Sequence, residues 1–123
     1  ETILLVDDER TILEVGREML ATLGYRVYVA GSGQEGIAVY REKRHEIDLV
    51  ILDMIMTGMS GGKAFDHLRE ANPAVKVLLS SGYSIDGDAQ EILNRGCNGF
   101  LQKPFHIEKL SRKIREILST SRL

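Results

Sequence analysis

The sequence has no tryptophan, two prolines and a single cysteine in 123 residues. One cysteine cannot close an internal disulfide, and Cys97 has no Cys or His partners at zinc-site spacing. It reads as a small, half-buried residue in a reducing cytoplasm. An excess of one charge is also missing: 16 Lys and Arg stand against 18 Asp and Glu, for a net charge of -2. Nothing basic therefore recruits nucleic acid as the default partner. Long apolar runs are absent too. The longest are strand-length, far short of the roughly 20 residues a membrane-spanning helix needs. No signal-peptide pattern precedes the first of them. Repeats and low-complexity tracts are lacking. What remains is ordinary: 43% hydrophobic and 28% charged residues, a balance that argues for a folded core over disorder. The length suits one domain, residues 1–123. The abrupt entry into an apolar run suggests a domain excised from a longer protein.

Four apolar runs each end in polar residues that a buried strand does not need. Ile3 to Val6 runs into Asp7-Asp8, Leu49 to Leu52 into Asp53, Val77 to Leu79 into Ser80-Ser81, and Gly99 to Gln102 into Lys103-Pro104. Continuous apolar runs of this length predict strands buried on both faces. Arg26 to Val29 alternates, which predicts a wetter edge strand. Between the strands, helical spacing appears at Ile12, Val15, Met19 and Leu23, at Ile37 and Tyr40, and at Phe65 and Leu68. A weaker helix spans Ile85 to Arg95, and Ile107, Leu110, Ile114, Ile117 and Leu118 form the clearest stripe. Ser32 or Gly33 starts the second helix, Ser60 can cap the third, Asp86 lies near the N-terminus of the fourth, and Asn72-Pro73 ends the third helix. Alternating strands and helices predict a parallel sheet covered on both faces, with right-handed crossovers. With the second strand at an edge, the fold is an α/β flavodoxin-like, doubly wound (βα)5 sandwich of strand order 2-1-3-4-5.

In such a sheet ligands bind beyond the carboxyl ends of the strands, where strand order reverses. That places Asp7, Asp8 and Asp53 together. Two unit charges ~4 Å apart repel by about 4 kcal/mol at an effective dielectric near 20. Either one carboxyl keeps its proton or a cation sits among them. The donors are all oxygens, so the cation is hard: magnesium, with manganese or calcium as substitutes. Lys103 balances the acids and can meet a phosphoryl oxygen, and Ser81 can donate a hydrogen bond to the same group. A carboxylate nucleophile with these companions can accept a phosphoryl group. Taken singly, Asp7-Asp8 could simply cap a helix, Asp53 a turn, and Lys103 could be a solvated lysine; their conjunction carries the weight.

With these residues aligned, the chain resembles the receiver domain of two-component response regulators, across nearly its whole length. The segments that carry the resemblance are Ile3 to Glu9, Leu52-Asp53-Met54-Ile55-Met56, Met59-Ser60-Gly61, Ser81-Gly82-Tyr83 and Lys103-Pro104-Phe105. The resemblance implies that Asp53 is the phosphoacceptor, charged from a phosphohistidine on a sensor histidine kinase or histidine phosphotransfer protein. It implies that Asp8, Asp53 and the backbone carbonyl of Ile55 bind magnesium directly and Asp7 through water. Ser81 becomes the switch hydroxyl, Lys103 the phosphate-binding lysine and Phe100 the switch aromatic, and the Lys103-Pro104 peptide is expected to be cis. Phosphorylation would then alter the surface of helix four, strand five and helix five, which an output domain or a second copy in a homodimer reads. The domain itself would be no enzyme beyond its own phosphorylation and dephosphorylation. It is expected in the cytoplasm, without membrane insertion or direct nucleic acid binding. The last segments look like those of receivers in hybrid sensor kinases, and a free-standing regulator fits as well.

Two local features qualify the resemblance. Thr57 stands where the family often has proline, so φ is not fixed and the loop after strand three is less restricted. Ile55 and Tyr83 lie two residues beyond Asp53 and Ser81, and neither suits orienting an attacking water. A relatively long-lived phosphoform is expected. Other classes stay open. A flavin-binding domain shares the fold, but Asp7-Asp8-Glu9 would repel the flavin phosphate. An aspartyl-phosphate phosphatase usually carries its nucleophile after strand one. A degenerate receiver used only for docking would not need all these side chains.

Overall fold

The computed structural model describes residues 1–119. Strands β1 (Thr2–Val6), β2 (Arg26–Ala30), β3 (Leu49–Asp53), β4 (Val77–Ser81) and β5 (Gly99–Gln102) alternate with helices α1 (Arg10–Thr22), α2 (Gly33–Lys43), α3 (Gly61–Ala71), α4 (Gly87–Asn94) and α5 (Ile107–Ser119). The strands form one parallel sheet in the order β2-β1-β3-β4-β5. This is the doubly wound topology expected from the alternating pattern, with the partly exposed β2 at an edge. No helix among the described residues is long and apolar enough to cross a membrane.

The continuous apolar runs have a direct cause: successive side chains of a strand enter opposite layers. Leu4, Val6, Val50, Leu52, Val77 and Leu79 pack with Ile37, Tyr40, Phe65, Leu68 and Ile92 beneath α2, α3 and α4. Ile3, Leu5, Leu49, Ile51, Leu78 and Leu101 pack with Leu20, Leu110, Ile114 and Ile117 beneath α1 and α5. Each such Leu or Ile contributes about 1.5–3 kcal/mol by leaving water. Ser60 caps its helix as expected, and Ser32 and Asp86 cap theirs. Ser32 Oγ accepts from the Glu35 N–H, Ser60 Oγ from Lys63, and Asp86 Oδ1 from Ala89.

Three expectations need correction. The buried face of α1 is Gly16 and Leu20, flanked by half-buried Ile12, Leu13 and Met19, whereas Val15 is exposed. Gly16 was invisible to a hydrophobicity count, yet a Cβ there would lie 2.7 Å from Leu5 Cδ2. The missing side chain lets α1 close onto β1. At α5, Ile107 belongs to the apolar stripe in sequence but is exposed at the helix start. Cys97 is buried rather than half-buried; its Sγ donates to the Val77 carbonyl at 3.3 Å, and burial raises its pKa.

Candidate phosphoryl and cation site

The carboxyl ends of β1, β3, β4 and β5 meet at one sheet edge, around an open cleft of about 560 Å³. Asp53, Ser81 and Lys103 line it, with Ile55 and Tyr83 at its mouth. Oxygens of Asp7, Asp8 and Asp53 lie within 4.8 Å of one another. Asp7 and Asp53 are 1% and 3% exposed, so their mutual repulsion acts with little help from solvent. Asp8 is exposed.

Lys103 is the counter-ion. Its Nζ stands 2.9 Å from Asp7 Oδ2, 3.2 Å from Asp53 Oδ1 and 3.9 Å from Glu9 Oε1. Burial alone would lower its pKa, but the hydrogen bond to Asp7 and the charges of Asp53 and Asp7 outweigh that and raise it. The peptide between Lys103 and Pro104 is cis, as expected. Asp53 is raised as well. Burial, then the charge of Asp7, pushes its pKa from 3.8 up to about 6, with Asp8 adding to the rise and Lys103 opposing it.

The capping alternative for the acids fails on geometry. The N-cap of α1 is Glu9, and that end has no side-chain cap bond. Asp7 Oδ1 accepts the Glu9 N–H at 2.9 Å, and Asp8 Oδ2 accepts the N–H of Thr57 at 2.9 Å, across 49 residues of sequence. The Thr57 loop is therefore tethered to β1 by a hydrogen bond, a restraint that the φ argument did not foresee. Glu9 and Ile12 also line the cleft. Glu9 was legible only as the neighbour of Asp8, and Ile12 only as part of a core stripe.

Ser81 is buried, and its Oγ accepts the Tyr83 N–H at 3.1 Å, which leaves the hydroxyl hydrogen to donate. Phe100 is half-buried and packs in the layer under α4. It pairs in register with Leu79, and Ser81 is two residues further along β4. Ser81 and Phe100 thus lie on the same face of the sheet, one diagonal step apart. Ser80 differs: it faces the other layer, and its buried Oγ has no protein hydrogen-bond partner.

The site suits a hard divalent cation and an anionic group together: several oxygens in reach, one raised carboxyl, one ammonium and one free hydroxyl. Comparison with known proteins agrees. The sequence model for the response regulator receiver domain matches residues 3–115. The chain belongs to this family. As a receiver domain it is 35% identical to the sensor kinase CckA of Brucella abortus over 117 residues, which are 95% of this chain and 12% of that protein. It is 34% identical to the transcriptional regulatory protein ZraR of Klebsiella oxytoca, over 98% of this chain and 27% of the other. Among solved structures, a response regulator receiver domain protein from Clostridium thermocellum superimposes with a TM-score of 0.91 at 30% identity, covering 96% of this chain and 94% of that one. The receiver domain therefore spans well under a third of these two curated relatives. Neither flavin binding nor phosphatase activity finds support in the comparisons.

Proposed function

We propose that Asp53 is the phosphoacceptor of this receiver domain. The observation that carries the reading is the placement of one buried carboxylate, of pKa about 6, beside Lys103 at 3.2 Å in a cleft shared with Ser81. Near neutral pH most of Asp53 is ionised and can attack. One carboxylate oxygen bonds to phosphorus while the phosphorus–nitrogen bond of a phosphohistidine breaks. The electron pair leaves with the imidazole, which takes up a proton from solvent. Lys103 holds a phosphoryl oxygen by charge, and the Ser81 hydroxyl donates to another. Asp7, Asp8 and Asp53, with the backbone carbonyl of Ile55, would hold a magnesium ion, or manganese or calcium in its place. Such an ion, when bound, would offset the charge gathered by three carboxylates and a phosphate.

Drawing the Ser81 hydroxyl toward the phosphate frees space on the face it shares with Phe100. Phe100 turns into that space, and the surface of α4, β5 and α5 changes. The donor is a sensor histidine kinase or a histidine phosphotransfer protein, and the reader is an output domain or a second copy of the receiver. The much longer kinase and regulator relatives support residues 1–123 as one module of a larger protein. The reading places that module in the cytoplasm and gives it no catalysis beyond its own phosphoryl transfer and no direct contact with nucleic acid.

Incubation with a small-molecule phosphodonor and magnesium, read by mass spectrometry, tests the assignment. One phosphoryl group is expected on the wild type and none on Asp53→Ala. Equal uptake by that variant would remove Asp53 from its role.

A further inference from the structure

We propose that the backbone N–H of Thr57 is a positioning group for the cation site, a clasp that fixes Asp8 for binding; this rests on the cation reading above. Asp7 and Asp53 are buried and both meet Lys103, so packing and charge hold them in place. Asp8 is exposed, and its side chain has neither support. What holds it is the hydrogen bond from the Thr57 N–H to Oδ2 at 2.9 Å. A carboxylate has lone pairs on both oxygens, so the clasp leaves Oδ1 for the cation.

Two effects oppose each other. Donation from the N–H draws charge from Asp8 and weakens it as a ligand. Against that, an exposed side chain ordered before binding loses no rotamer freedom when the cation arrives. A neutral N–H on the oxygen remote from the ion withdraws little charge. Ordering a side chain typically changes affinity by roughly two- to tenfold. Ordering therefore wins.

Only a residue with a backbone N–H can form the clasp. Proline at this position would fix φ but would leave Asp8 unheld. Thr57 exchanges one restraint for another. The hydrogen bond joins the loop after β3, which carries the acceptor, to the end of β1, and so couples the cation site to loop order.

Magnesium titration of the intact chain by calorimetry separates the outcomes, with thermal unfolding in chelator measured alongside. Thr57→Ala keeps the N–H and should bind magnesium as the wild type does. Thr57→Pro should bind roughly two- to tenfold more weakly, with little change in its unfolding midpoint without metal. Equal affinity for Thr57→Pro, or an equal loss in Thr57→Ala, would overturn the clasp. If Thr57→Pro does not fold, amide exchange at Thr57 in the wild type decides. Protection with and without magnesium supports the clasp, and exchange at free-loop rates refutes it. A wild type that binds no magnesium would overturn the cation reading instead, and the clasp's role with it.

Discussion

At the scale of single residues, the site stores electrostatic stress in Asp53. A carboxyl raised from 3.8 to about 6 holds its proton more tightly in the fold than in the unfolded chain. Its protonated form favours folding below the unfolded pKa, and that contribution fades as pH rises through about 6. The shift corresponds to roughly 3 kcal/mol. Asp53→Asn removes the ionisation, while Lys103 keeps its 2.9 Å contact with Asp7. In chelator at pH 8 the variant should be more stable than the wild type by roughly 1–3 kcal/mol, and near pH 4 the two should unfold alike. Denaturant midpoints across that range check it; a constant difference would mean that Asp53 is not strained by ionisation. The two residues at the cleft mouth make a second case. Ile55 and Tyr83 are 55% and 68% exposed, so they stand over the opening rather than fill it. We hypothesise that they hinder an attacking water without sealing the site. Phosphoform decay in magnesium should then quicken several-fold in Ile55→Asn and in Tyr83→Ala, and unchanged rates in both would end the idea.

At the scale of elements, α3 sits hard against the end of β3. A Cβ on Gly61 would lie 2.5 Å from the Asp53 carbonyl oxygen and 2.6 Å from Met54 Cα, both backbone atoms that cannot swing aside. Gly61→Ala should therefore push the end of β3 from α3 and cost about 1–3 kcal/mol; with Asp53 as the proposed acceptor, it should also slow phosphorylation. Gly62 is the control. A Cβ there meets the Arg95 guanidinium at 3.1 Å and Ile92 Cδ1 at 3.3 Å, side-chain ends that can give way. Helix propensity favours alanine over glycine by about 1 kcal/mol, so Gly62→Ala should stay near wild-type stability. Equal losses in both variants would deny Gly61 its special place. These contacts also show what the sequence could and could not tell. Strand order, caps and the carboxylate cluster follow from local patterns: apolar runs, polar ends, Ser or Asp before helices. The inward face of α1 did not, because Gly16 contributes by lacking a side chain. The Thr57 tether did not either, because a backbone N–H looks the same in every residue except proline, and its partner lies 49 residues away.

At the scale of the whole molecule, the site is a seam where opposing charges from the ends of β1, β3 and β5 meet, so a cation there should bear on the stability of the entire fold. A ligand that binds only the folded chain stabilises it by RT ln(1 + [L]/Kd), about 2.7 kcal/mol at a hundredfold excess over Kd. Magnesium should raise the unfolding temperature by an amount that grows with its concentration. The same Asp53 proton sets the pH dependence with the opposite sign to the metal-free case. A cation and a proton compete for one carboxylate, so magnesium affinity falls and its stabilising effect shrinks as pH drops below about 6. Asp7, Asp8 and Lys103 face the same ion, but no single loss among them should abolish the competition while Asp53 remains. Unfolding scans at pH 5 and pH 8, with and without magnesium, should show a large shift at pH 8 and a small one at pH 5. In Asp53→Asn the shift should be weaker and nearly independent of pH over that interval. A magnesium shift in the wild type as large at pH 5 as at pH 8 would place the ion away from Asp53.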